Sequence, residues 1–140
     1  MISTRGRYAL RAMLDLAEHG GSLVPMKEVA RRQDISLKYL ERIMPLLTAK
    51  GLLVGVHGKG GGYRLSRAPE DYRVGEILSA AGEELAPVAC LGCGAAPCER
   101  AAQCRTLPMW QEFDRMTNDY FDKITLADLL RTETAPDYVI

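Results

Sequence analysis

The chain has 140 residues, of which 47% are hydrophobic, which suits one compact unit and excludes an intrinsically disordered protein. It contains no apolar run long enough to cross a bilayer and no secretory signal at its start, so we expect a cytoplasmic protein without membrane association. The net charge is zero, but residues 1–73 hold 13 basic and 7 acidic side chains, whereas residues 74–140 hold 5 and 11. The resulting charges, +6 and −6, are typical of a front half that meets phosphates.

Two helices are predicted before residue 34. The first begins at a cap provided by Ser3 or Thr4 and runs to about His19, where two glycines follow. Pro25 opens a second, short helix, and Val29 on that helix faces the core.

A third helix is predicted between a cap at Ser36 and Gly51. Pro45 lies inside it and removes a backbone hydrogen bond at a cost of about 3 kcal/mol, so we expect either a kink or an early end of the regular helix. The outer face has the short polar and basic side chains that a helix needs in the major groove, although a merely solvated face is the alternative interpretation. The residues of this face are Ser36, Lys38, Tyr39, Glu41 and Arg42.

Two strand-like runs, residues 52–56 and 63–66, flank a glycine-rich basic tip and predict a β-hairpin. Such a tip can approach the sugar–phosphate backbone closely, and its glycines do not follow the order of a phosphate-binding loop. A flexible turn without function is the alternative. The hairpin residues expected at DNA are His57, Lys59, Gly60 and Tyr63.

Three further helices are predicted behind the hairpin. A linker precedes the first of them, at residues 74–81. After residue 108, apolar side chains recur at steps of three and four as far as Ile124, and Thr125 can cap a last short helix, 126–130. The fold class is therefore mainly α with a small β-hairpin, in the order of a winged helix-turn-helix.

All four cysteines lie in a segment without periodicity, residues 82–107, at the spacing C-x2-C-x4-C-x5-C. Disulfides are improbable in a cytosolic chain, and grouped thiolates are soft ligands for zinc or an iron–sulfur cluster. Because zinc favours paired C-x2-C motifs, the unequal spacing favours a cluster mildly. A redox-sensitive thiol loop without metal remains open. The candidate ligands are Cys90, Cys93, Cys98 and Cys104.

These features together resemble the family of winged helix-turn-helix regulators that contains IscR, NsrR and CymR. The resemblance extends from the N-terminus to about Leu130 and is strongest for the glycine-rich hairpin tip followed by tyrosine, with cysteines downstream. The segments that carry it are residues 4–9, 35–41, 58–63, the cysteine loop and residues 124–130.

The resemblance implies a homodimer joined by the long helix, about Met109 to Lys123, and binding of each third helix and hairpin to one half of a palindromic operator in double-stranded DNA. It adds Arg5 and Arg7 to the expected DNA contacts. The implied domains are a DNA-binding domain at 1–73, a connecting helix with a cysteine-rich sensor loop at 74–107, a dimerisation region at 108–131 and a tail at 132–140.

The family also implies a 2Fe–2S or 4Fe–4S cluster, with Cys90, Cys98 and Cys104 as ligands. IscR-like loops supply a histidine three positions after the last cysteine, where this chain has Leu107. Other relatives use a carboxylate from the first helix of the partner, and this chain has none between Arg5 and Leu14. Cys93 is either the fourth ligand, which is the simplest arrangement, or an additional cysteine.

The sequence thus predicts a DNA-binding regulator whose operator affinity depends on a cluster or on the thiol state of the loop. A regulator with structural zinc, or a small redox protein that carries a cluster, would also explain the cysteines. An enzyme is the least supported class, because the two histidines lie far from the cysteines and no acid–base pair is visible.

Overall fold

The computed structural model describes residues 1–92 and 94–132. In this part of the chain, six α-helices accompany one antiparallel two-stranded hairpin, which confirms the predicted fold class. Single 3-10 turns occur at Pro69–Asp71, Ala89–Leu91 and Ala101–Gln103. The helices and strands are α1 (Thr4–Ala17), α2 (Met26–Gln33), α3 (Leu37–Ala49), β1 (Leu53–Val56), β2 (Gly62–Leu65), α4 (Val74–Ala80), α5 (Leu107–Lys123) and α6 (Leu126–Leu130).

Helix α1 is the centre of the core, and its inward residues are small or flexible, so that other helices approach it closely. It ends at Ala17, two residues before the predicted end, because residues 18–21 form a turn. Ser3 occupies the N-cap position as predicted, but its hydroxyl makes no capping hydrogen bond to the helix. The first amides of α1 therefore need another acceptor.

Helices α2 and α3 begin where the sequence predicts. Pro25 directly precedes α2, and the Ser36 hydroxyl accepts a hydrogen bond from the Tyr39 amide at 3.0 Å. Of the two outcomes expected at Pro45, a kink or an early end, the early end is wrong, since α3 continues to Ala49. Pro45 and Glu41 are both exposed, so the carbonyl group that loses its partner can face water while the buried side of the helix stays packed.

The hairpin follows α3 with the register Leu53 opposite Leu65 and Val56 opposite Gly62. The first of these pairs is buried and fixes the base of the hairpin on the core. Tyr63 also exchanges two backbone hydrogen bonds with Val24, at 2.8 and 2.9 Å, which ties the hairpin to the segment before α2. The hairpin is therefore held at its base while its tip projects.

A buried tyrosine fixes the chain where it leaves the hairpin. Tyr72 is 0% exposed, and its hydroxyl donates to the Leu52 carbonyl at 2.7 Å and accepts from the amides of Ser66 and Arg67 at 2.9 and 3.1 Å. The Arg67 guanidinium lies 4.7 Å from the ring centroid and pairs with Glu76 of α4. One side chain thus joins the base of the hairpin to the following helix.

Tyr72→Phe is expected to lower the free energy of unfolding by about 2 kcal/mol, because three backbone groups lose their partner in a site closed to water. Urea denaturation at pH 7 measures this loss. Tyr8→Phe is the matched control, since no hydrogen bond of the Tyr8 hydroxyl occurs among the described residues. Equal stability of the two variants would contradict the role of Tyr72.

The second half of the chain packs back on the first through short backbone contacts. The Val74 amide donates to the Ile124 carbonyl at 2.9 Å, and the Leu126 amide donates to the Tyr72 carbonyl at 3.1 Å. Helix α5 begins at Leu107, slightly earlier than predicted, because a proline is tolerated in the first turn of a helix. Thr125 caps α6 as predicted, within a capping box completed by Asp128.

None of the helices within the described ranges is long and apolar enough to cross a bilayer. Of the predicted tail, residues 133–140 lie outside the described residues, as does Cys93.

Candidate nucleic-acid interface and cysteine loop

Helix α3 presents two faces of different chemistry. Leu40, Ile43, Met44 and Leu47 are fully buried against the core. On the other side, Lys38, Glu41 and Arg42 are exposed. The spacing of the buried residues therefore dictates which polar side chains are free to meet a ligand.

Several of the side chains predicted to contact DNA have no partner among the described residues. Within residues 1–92 and 94–132, five of these side chains make no hydrogen bond or ion pair: Lys38, Glu41, Arg42, His57 and Lys59. All five are exposed. Cations without an internal partner keep their full attraction for phosphate, and they lie on the two elements that a winged helix-turn-helix directs at DNA.

The tip of the hairpin is built from close backbone contacts that demand glycine. A Cβ on Gly61 would lie 2.1 Å from the Val56 carbonyl oxygen, and one on Gly62 would lie 2.5 Å from the Val24 carbonyl oxygen. Gly60 is exposed beside Lys59, whereas Tyr63, the second residue of β2, is half-buried and lies opposite Gly55. The close approach of the backbone in this turn thus requires glycine at both positions.

Tyr39 differs from its neighbours on α3 because its ring is packed within the protein. The ring meets Tyr8 of α1 edge to face, with centroids 5.2 Å apart, and the Arg11 guanidinium lies 5.3 Å from the Tyr8 centroid. Tyr39 is half-buried as a result. These contacts join α1 to α3 directly, a link between residues 31 positions apart that the sequence analysis missed.

The turn between α2 and α3 is held by charged groups that the sequence analysis also missed. Arg11 donates to the Gln33 carbonyl at the end of α2. Asp15 of α1, only 1% exposed, accepts from Arg32 at 2.8 and 3.1 Å and from Gln33 at 3.0 Å. Burial raises the pKa of Asp15, but these hydrogen bonds outweigh burial and hold the pKa below its usual range.

Arg5 and Arg7 are both exposed near the start of α1, as expected for phosphate contacts. Among the described residues, the Arg7 guanidinium donates only to the nearby Thr4 hydroxyl, at 3.0 Å. Arg5 instead donates to the Gly82 carbonyl at 3.0 Å, at the beginning of the cysteine loop. Arg7 therefore makes a contact within its own helix, whereas Arg5 contacts a residue 77 positions away in the sequence.

The cysteine loop supplies thiols of suitable chemistry for a soft metal. Cys90 and Cys98 are exposed, Cys104 is half-buried, and all three are free thiols. The Cys104 sulfur lies 3.4 Å from the Thr106 hydroxyl. Hydrogen bonds from the hydroxyl and the amide of Thr106 favour the thiolate and lower the pKa of Cys104.

These thiols are not gathered around a common point. Within the described residues, no group of three histidine, cysteine or carboxylate side chains could hold a metal ion. Cys93, the predicted fourth ligand, lies outside those residues. The donor set fits an iron–sulfur or zinc site by its chemistry. Among the described residues of the loop, regular structure is limited to two short 3-10 turns.

Helix α5 carries an apolar stripe that nothing in the described chain covers. Met109, Phe113, Met116 and Tyr120 are each between 54% and 61% exposed. They recur at steps of four, three and four, the spacing of a seam between paired helices. Such a stripe is unusual on the surface of a monomer.

Comparison with protein families identifies a match over nearly the whole described chain. The family model "Rrf2: Iron-dependent Transcriptional regulator" matches residues 2–132. The "HTH-type transcriptional regulator IscR" of Vibrio atlanticus is 37% identical over 131 residues, which cover 93% of this chain and 75% of that protein. The protein of the same name from Sodalis glossinidius is 36% identical over 139 residues, covering 99% and 83%.

Two solved structures share the fold. T. potens IscR superimposes with a TM-score of 0.71 at 33% identity, covering 94% of this chain and 86% of that one. CymR, the global cysteine regulator of B. subtilis, gives a TM-score of 0.73 at 30% identity, covering 93% and 95%. These similarities confirm the family resemblance and the winged helix-turn-helix fold, and they agree with a regulator rather than an enzyme.

Proposed function

This chain belongs to the Rrf2 family of transcriptional regulators, and we propose that it binds double-stranded DNA with α3 and the hairpin, here called the wing, under control of the cysteine loop. The observation that carries the proposal is a set of exposed cations on these two elements, Lys38, Arg42 and Lys59, that have no partner among the described residues. Because no described residue neutralises their charge, phosphates are the natural partners.

The residues proposed to contact DNA have different roles. Lys38 and Arg42 meet phosphate oxygens or guanine from the major groove, and Glu41 selects for the amine of cytosine. Lys59 and His57, together with the Gly60 backbone, meet the minor groove or its rim. The remaining proposed contacts, which position the protein on the sugar–phosphate backbone, are Arg5, Arg7, Ser36, Tyr39 and Tyr63.

Arg42→Ala and Lys59→Ala are each expected to weaken binding to a duplex selected from a random-sequence library by the wild-type protein. A lost phosphate contact should reduce the slope of log affinity against log salt by about one, whereas a lost guanine contact should relax selectivity by about tenfold. Fluorescence anisotropy at several salt concentrations measures both. Arg131→Ala, which removes the same charge directly after α6, should alter neither quantity, and an effect equal to that of Arg42→Ala would contradict the assignment.

We propose that the protein acts as a homodimer on a palindromic operator. The support is the exposed apolar stripe of α5, which a second copy would cover, and the acidic character of residues 74–140, which keeps this half away from DNA. Two DNA-binding heads related by a twofold axis would meet half-sites about one helical turn apart, or a multiple of that distance.

Cys90, Cys98 and Cys104, with Cys93 as the fourth ligand, are the proposed holders of an iron–sulfur cluster of the 2Fe–2S or 4Fe–4S type. When bound, such a cluster would supply a link among the thiolates that depends on iron supply and oxidation. Within the protein, hydrogen bonds from Thr106 lower the pKa of Cys104 and so favour its thiolate form, and regular helices, α4 and α5, fix the two ends of the loop. Rearrangement of this loop is the proposed means by which DNA affinity changes.

Anaerobic purification followed by absorption spectroscopy and analysis of iron, sulfide and zinc tests the cluster. We expect visible absorption with iron and sulfide in the wild type, and loss of both in Cys98→Ser. A colourless preparation with stoichiometric zinc would contradict the cluster. It would instead support a structural zinc site, the second proposal for this set of thiols.

A further inference from the structure

Glu83, a carboxylate at the beginning of the cysteine loop, contacts the DNA-binding half. Glu83 reaches the N-terminus of α1, where it accepts hydrogen bonds from the Gly6 amide at 2.9 Å and from the Ser3 amide at 3.2 Å. The Ser3 hydroxyl also donates a hydrogen bond to the Glu83 carboxylate. Glu83 thus provides the cap that Ser3 does not, and its negative charge suits the positive end of the α1 dipole.

Two neighbouring residues make this contact possible and reinforce it. A Cβ on Gly6 would lie 2.6 Å from Cγ and 2.7 Å from Oε1 of Glu83, so only glycine admits the carboxylate. Glycine inside a helix is otherwise unfavourable relative to alanine, and the contact explains its presence at this position. Arg5 adds a hydrogen bond to the Gly82 carbonyl. We call these residues the clamp: Ser3, Arg5, Gly6, Gly82 and Glu83.

The clamp lies between the cysteines and the proposed DNA surface. Glu83 precedes Cys90 by seven positions, so closure of the loop around a ligand acts on it through a short stretch of chain. On the other side, α1 contacts α3 through Tyr8, whose ring meets Tyr39 at 5.2 Å. A continuous series of contacts therefore leads from the loop through the N-terminus of α1 to α3.

We propose that Glu83 is a positioning residue that couples the state of the cysteine loop to the placement of α1 and α3, and hence to DNA affinity. The inference rests on the proposed function and adds to it the residue through which control passes. It requires two loop states with different DNA affinities, one of which keeps the clamp closed. Without Glu83, the DNA-binding half no longer distinguishes those states.

The test compares Glu83→Ala and Gly6→Ala with the wild type and with Glu70→Ala, an exposed carboxylate outside the clamp. Affinity for the duplex selected by the wild type is measured for anaerobically reconstituted protein and for chelator-treated protein. We expect the two affinities to differ about fivefold or more for the wild type and Glu70→Ala, and to agree within about twofold for both clamp variants. Adding Gly6→Ala to Glu83→Ala should have no further effect, because the new methyl group then has room.

Hydrogen exchange at the Gly6 amide provides a second readout that needs neither DNA nor metal. We expect exchange to be about tenfold faster in Glu83→Ala than in the wild type, because the acceptor is lost. Equal exchange, or a clamp variant that keeps the wild-type affinity ratio, would overturn the role of Glu83. The proposed function itself would be overturned if the wild type selected no duplex, or if its reconstituted and chelator-treated forms bound the duplex equally well.

Discussion

Met116→Asp is expected to yield a monomer that binds operator DNA about a hundredfold or more weakly than the wild type. The side chain is 57% exposed in the middle of the α5 stripe, so the change should not disturb the fold of the single chain. In a dimer, however, it would place a carboxylate among apolar side chains, where an unpaired charge is strongly disfavoured. DNA affinity falls because the two heads no longer bind as one unit.

Analytical ultracentrifugation and anisotropy on the same samples measure this effect. Gln111→Asp is the matched control, because it adds the same charge to α5 at an exposed position away from the stripe. It should leave a dimer of unchanged affinity. If Met116→Asp stayed dimeric, the stripe would not be the interface. If it became monomeric yet bound DNA as tightly as before, the need for two heads would be refuted.

Asp15→Ala is expected to lower the free energy of unfolding by about 3 kcal/mol, because it removes the acceptor of a bonded pair of charges at a buried site. The carboxylate joins α1 to Arg32 and Gln33, so its loss also releases the turn that leads into α3. Glu28→Ala is the control, since Glu28 pairs with the same arginine but is 52% exposed. Such surface pairs contribute little to stability, so a comparable loss in the control would refute the special role of burial.

The same carboxylate predicts how stability depends on pH. Since hydrogen bonds hold the pKa of folded Asp15 below its unfolded value, the ionised group contributes its full stabilisation above the unfolded pKa. This contribution is lost as the pH falls through the folded pKa, in the range below about 4. Urea denaturation between pH 6 and the acid range should show a smaller fall in stability for Asp15→Asn than for the wild type.

The elements of the fold could be predicted well because local signals and burial agree in them. Ser36 and Thr125 are capping residues at the starts of α3 and α6, and the glycine-rich tip occurs between the two strands. The continuation of α3 beyond Pro45 could not be predicted from the local cost of a proline alone. The buried side of α3 packs on the core and keeps the helix continuous to Ala49.

The long-range contacts could not be predicted, since nothing local to either partner signals them. Glu83 and Gly6 are 77 positions apart, and neither residue type at its own position indicates a helix cap. A carboxylate on a helix, such as Asp15, is ordinarily predicted to be exposed. It is buried here because α2 places Arg32 against it. The exposed cations of α3 and the wing could be predicted, because the apolar periodicity already decides which side faces water.

The central claim is that the cysteine loop controls DNA affinity, and one comparison tests it most directly. Affinity for the selected duplex is measured anaerobically on a single preparation, before and after treatment with a chelator. We expect a change of about fivefold or more, and no change in a variant in which both Cys98 and Cys104 are replaced by alanine. Equal affinity of the wild type before and after treatment, with iron demonstrably removed, would contradict it.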